Sequence, residues 1–91
     1  MDAIEGASVR RAVLDPLITQ TIAPMLGEAL ARASIRAHVQ RLGLSDDTVD
    51  AAGVTALLEG IEKGLRVFVG SERAARLVAT IRAGLAREAA R

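Results

Sequence analysis

The chain has 91 residues, no cysteine, a single aromatic side chain (Phe68) and a formal net charge of +1. Its length predicts one domain spanning 1–91, the absent cysteines exclude disulfide or thiolate–metal bracing, and the balanced charge predicts no long-range pull toward nucleic acid or anionic lipid. Eighteen residues are alanine within an apolar fraction of 51%, which favours helix over the aromatic and β-branched surfaces of a sandwich or barrel.

The opening Met1-Asp2-Ala3-Ile4-Glu5 lacks the basic start and apolar run of a secretion signal. The longest uncharged stretch of note, Pro16 to Gly27, is well short of the roughly 20 residues that span a bilayer. A cytoplasmic protein with no membrane span is the expectation.

The first predicted helix runs from about Ala7 to Ile22, with Val9, Val13, Leu14, Leu17, Ile18 and Ile22 as its apolar positions. Pro16 stands inside it directly after Asp15. Asp before Pro is also a helix start, because the carboxylate caps and Pro suits the first helical position. The pattern therefore fits one kinked helix or two short ones, divided at Pro16 or Pro24.

A second helix is predicted from near Pro24 to Leu42, stopped by Gly43. Ile22, Leu26, Ala29, Leu30, Ala33 and Ala37 gather on one face, with Ile35, Val39 and Leu42 nearly opposite. A helix apolar on two sides is usually surrounded. In so short a chain the second face is expected to meet another subunit, which makes Ile35, Val39 and Leu42 candidate interface residues. On that reading Val39→Glu dissociates an assembly and spares the helices.

Ser45 to Asp50 is a polar loop in which Ser45 or Asp50 caps the next helix. That helix, about Ala51 to Val69, carries a stripe of Val54, Leu57, Leu58, Ile61, Leu65 and Phe68. Gly70-Ser71 is a stop followed at once by a start, so the fourth helix (about Glu72 to Ala90, apolar at Ala74, Leu77, Val78, Ile81 and Leu85) should fold back antiparallel. No internal repeat is legible.

Gly53, Gly60 and Gly64 share a strip of the third helix, and each interior glycine costs about 1 kcal/mol relative to alanine. Packing within the chain is their first explanation. A subunit interface through Gly60 and Gly64 is the second, since small residues let backbones approach closely, and a ligand groove the third. Arg73, Arg76, Arg87 and Arg91 line one side of the fourth helix, a candidate phosphate-contacting ridge. A solvated face explains them more simply, because no aromatic is interleaved and Glu72 and Glu88 lie beside them. His38 is the sole histidine and has no partner at metal-ligand spacing. Asp46, Asp47 and Asp50 fail the calcium-loop pattern.

Ile22-Ala23-Pro24-Met25-Leu26 with Ala29-Leu30-Ala31-Arg32 resembles short helical segments of bacterial signalling proteins. The resemblance covers about a dozen residues and brings no functional residue with it. The residues together predict an all-α bundle of about four helices. The function they point to is non-enzymatic, without cofactor or metal: a protein–protein interaction module that self-associates as a homo-oligomer, as a regulatory or scaffolding component of a bacterial assembly. A small nucleic-acid-binding regulator is the rival reading.

Overall fold

A computed structural model describes residues 8–89. In chain order the elements are β1 (Val9–Arg10), α1 (Arg11–Leu26), α2 (Glu28–Leu42), β2 (Thr48–Val49), α3 (Ala51–Val69) and α4 (Ser71–Ala89). The all-helical reading holds, and α3 packs on α4 as the hairpin that Gly70-Ser71 implied.

The start of the first helix departs from expectation, Ala7 itself lying outside the described residues. Val9–Arg10 is extended because it pairs antiparallel with Thr48–Val49, Val9 lying opposite Val49. This pairing buries Val49 and seats Val9 on the core. Arg11 completes the fastening. Its N–H donates to the Asp47 carbonyl at 2.7 Å, and its guanidinium donates to the Leu44 carbonyl at 3.2 Å and to Asp15 Oδ2 at 2.7 Å. One side chain thus ties the first turn of α1 to the loop between α2 and α3.

Neither proline splits α1, which continues to Leu26. Each removes a backbone donor, which frees the carbonyls of Ala12 and Gln20. Both of those residues are exposed, as are Pro16 and Pro24, so the prolines sit on the solvent side of the helix, and burial of Leu14, Ile18 and Ile22 on the other side holds it together through both. The break falls instead at Gly27, with φ 88° and ψ 151°, a region essentially reserved for glycine. Gly27 ends one helix with its N–H, donated to Ala23 at 2.7 Å, and opens the next with its carbonyl, which accepts from Ala31 at 3.0 Å. Gly70 repeats the device, bonding Arg66 and Ala74 with φ 86°.

Around the two glycine turns several core residues are spaced alike. With an offset of 43 positions, Leu14, Ile18, Ile22, Ala31 and Ile35 correspond to Leu57, Ile61, Leu65, Ala74 and Val78, and all ten are buried. The chain is therefore two similar helical hairpins. They sit together with α1 against α4 and α2 against α3, the arrangement a pseudo-twofold axis along the bundle would generate. The match does not extend through the whole core: buried Val39, Val54, Leu58 and Ile81 stand opposite Arg82, Arg11, Asp15 and His38, and no repeat is legible in the sequence.

The two faces of α2 are the reverse of the expectation. Ala31, Ile35 and Val39 form its core face, whereas Ala29, Leu30, Ala33 and Ala37 are exposed. Ile35 and Val39 are 4% and 6% exposed within this one chain, while Leu42 at the helix end remains 39% exposed. The premise that Ile35 and Val39 need a second subunit to cover them is thereby corrected. Their own hairpin and α3 cover them, and what faces water on the other side is mostly alanine, which costs little there.

Candidate interaction surfaces

The three glycines of α3 meet three different surroundings. A Cβ built on Gly53 would lie 2.6 Å from Val49 Cγ1, and one on Gly60 would lie 2.9 Å from His38 Nδ1. One on Gly64 meets nothing within 4 Å. Gly53 and Gly60 thus serve packing inside the chain, the first of the three explanations, and of the proposed interface pair only Gly64 faces open space. Gly84 was missed although it does similar work. A Cβ there would come 2.9 Å from Leu17 Cδ1, so Gly84 lets α4 approach α1 as Gly60 lets α3 approach α2. Its signal in the sequence was a glycine in the interior of α4.

His38 rests against Gly60, and its Nδ1 lies 2.9 Å from Arg41 Nη2. A guanidinium only donates, so Nδ1 accepts and the ring is neutral with its proton on Nε2. Burial, and then the Arg41 charge, hold the imidazole below its ordinary value of 6.5. The unfolded chain then binds this proton more readily than the folded chain does. The stability contribution is present above pH 6.5 and is lost as pH falls through the folded value below it. Urea midpoints at about pH 7.5 and about pH 5.5 should differ in that direction, and His38→Gln should reduce the difference. An unchanged difference in the variant would mean that other groups govern it.

Arg73, Arg76 and Arg87 lie on exposed surface of α4, and Arg91 lies outside the described residues. Arg76 is paired with Glu72 at 3.6 Å. Two open grooves flank α1. One, of about 440 Å³, passes between α1 and α2 beside Arg11, Asp15, Thr19, Arg32 and Arg36. The other, of about 640 Å³, passes between α1 and α4 beside Val13, Leu17, Gly84 and Arg87. In the first, Arg11–Asp15 and Arg32–Glu28 ion pairs at 2.7 and 2.8 Å already satisfy most of the charge. Among the described residues no group of three or more His, Cys, Asp or Glu side chains could hold a metal ion. No described helix is long and apolar enough to cross a membrane.

The least expected surface is apolar. Val67 is 83% exposed, Phe68 61%, Met25 45% and Leu30 44%. The topology puts all four toward one end of the bundle, Met25 and Phe68 on the core side of their helices and Leu30 and Val67 on the outward sides. His38 faces Gly60, and Leu44 faces Gly53, so α2 and α3 run antiparallel and the Gly27 and Gly70 turns lie at the same end. Phe68 continues the α3 stripe by periodicity, but near the turn it stays 61% exposed. Met25 and Phe68 are equivalent positions of the two hairpins, as are the half-buried Leu26 and Val69 just beneath them. Leu42 stands at the opposite end.

No protein-family model, no curated protein and no solved structure matches the chain.

Proposed function

We propose that the chain is a non-enzymatic helical protein–protein interaction module, regulatory or scaffolding in role, which binds through the apolar end carrying Val67 and Phe68. The observation that carries this reading is the exposure of Phe68, its only aromatic residue, beside the still more exposed Val67. Aromatic side chains supply large contact area at small entropic cost and are enriched at the centres of interfaces. A chain with a single phenylalanine gains most stability by burying it, and this one leaves it in water at a helix end. Met25, the residue equivalent to Phe68 in the other hairpin, is also exposed near the same end, and exposed apolar side chains that lie together mark interaction surfaces. The rival nucleic-acid reading has less support, because Arg76 is engaged by Glu72 and the net charge is close to zero.

A photo-crosslinking phenylalanine analogue placed at position 68, in cells that naturally make the protein, tests the proposal. Protein adducts are expected from position 68 and not from Thr80, an exposed residue on the middle of α4. Absence of adducts at 68, or equal labelling at 80, would overturn it.

A further inference from the structure

We infer that a second copy of the chain docks on the flank formed by α2 and α3, each copy seating Leu30 and Val67 against small residues one turn along in the other. The contact lies on the side of the bundle, apart from the Phe68 end, and goes beyond the reading above.

The flank follows from register. His38 lies against Gly60 and Leu44 against Gly53. Continuing that antiparallel pair sets Leu30 level with Val67, and Ser34 level with Gly64. Val67 stands two turns beyond Gly60, and Leu30 two turns before His38. Both therefore project from the side where α2 and α3 meet, away from the buried Ile35 and Ile61. They form an apolar ridge across the two helices, Val67 being 83% and Leu30 44% exposed. One turn further, Ala33 and Gly64 are exposed and Ser34 is half-buried. A Cβ on Gly64 would meet nothing within 4 Å, whereas His38 fills the space at Gly60. The flank is thus a ridge beside an open step.

That spacing selects a copy. Ala33 lies three residues past Leu30 on α2, and Val67 three residues past Gly64 on α3. The two helices run in opposite directions, so ridge and step have the same separation on both. A twofold axis lying across the flank between them turns α2 onto α2 and α3 onto α3. It brings Val67 over Gly64 of the copy and Leu30 over Ala33 and Ser34 of the copy, and the reverse contacts come with it. An isologous interface requires this self-complementarity, and here one axis satisfies both helices.

Charge agrees with the pairing. Lys63, next to the step, then lies over the end of α3 in the copy, where the last carbonyls carry the negative end of the helix dipole. Arg41, which donates to His38, lies far enough along α2 that its two copies stay about 27 Å apart, well beyond the Debye length. The shared stretch is about 14 residues of each helix, roughly 21 Å by two helix widths. It hides on the order of 900 Å² over both copies, the scale of a weak, transient contact, with a Kd on the order of 100 µM.

Sedimentation velocity of the full chain from about 10 µM to about 1 mM tests the inference. A monomer–dimer equilibrium is expected. Leu30→Glu and Val67→Glu should each weaken it at least about tenfold, with helicity preserved because both side chains are exposed. Gly64→Ala is the sharper variant. It should raise the thermal midpoint of the single chain at about 5 µM, yet weaken the dimer several-fold by filling the step. Thr80→Glu, on exposed surface of α4, should leave the pairing unchanged. A monomer throughout, a mass beyond dimer, a dimer indifferent to both Leu30→Glu and Val67→Glu, one not weakened by Gly64→Ala, or one abolished by Thr80→Glu would each overturn it. The two readings fail separately. A dimer without adducts at position 68 keeps the flank contact and removes the end as a binding surface. Position-68 adducts to a different protein, with a purified chain that stays monomeric, do the reverse.

Discussion

Val39→Glu should unfold the chain, and not merely separate subunits. Val39 lies on the core face of α2 together with Ala31 and Ile35, and a carboxylate there would have neither solvent nor a cation within the core cluster, which contains no charged side chain. Burying an unpaired charge is among the few single changes that exceed about 4 kcal/mol, comparable with the roughly 5–15 kcal/mol that holds a domain together. Far-UV circular dichroism should show loss of helix at room temperature, or a urea midpoint too low to fit. Leu42→Glu, three residues on but half exposed, should fold normally. If both variants fold equally well, the assignment of the buried face of α2 is wrong.

Replacing Gly53 and Gly64 by alanine should move stability in opposite directions, although both lie on one strip of one helix. At Gly53 the added methyl meets Val49 Cγ1 at 2.6 Å, with Asp50 Oδ1 and Leu44 Cδ2 each at 3.2 Å. Val49 cannot easily give way, because it is β-branched, buried and held by the strand pair. Asp50 Oδ1 also accepts the Gly53 N–H at 2.8 Å as the N-cap of α3, an interaction worth about 1 kcal/mol. Gly53→Ala should therefore cost about 1–3 kcal/mol through overpacking and a displaced cap. At Gly64 the methyl meets nothing, and the lower entropy of the unfolded alanine chain should stabilise the protein by about 0.5–1 kcal/mol. Chemical denaturation of the two variants measures both. A loss at Gly64 would mean that this surface is already covered by something else.

Much of the local structure was legible because single residues determine it. Asp50 caps α3, Gly43 closes α2 in the left-handed conformation, and the α3 span from Ala51 to Val69 follows from its stripe. At Pro16 a continuous helix and a split one both fitted the pattern and the helix is continuous, whereas the start expected near Pro24 lies instead after Gly27. A proline inside a helix strands a carbonyl and crowds the preceding turn, and whether the packing of the rest of the helix outweighs that cost is a tertiary question. Interface assignments suffered in the same way. Periodicity places Ile35 and Val39 on one face and Leu30 on another, but it does not say which face the other helices cover.

By itself, then, the sequence determined that the chain is helical, where most helices begin and end, and that α3 turns back into α4 at Gly70. These follow from propensity, capping and turn chemistry, which act over a few residues. Only the tertiary structure decided which side of α2 is interior, that the two hairpins bury residues at five matching positions, that Gly60 receives His38 while Gly64 meets nothing within 4 Å, and that Phe68 stays largely exposed at the end of α3. Each of these depends on what lies across a helix–helix contact between residues distant in the chain, and a pattern read along one helix holds no information about its neighbour's length or placement.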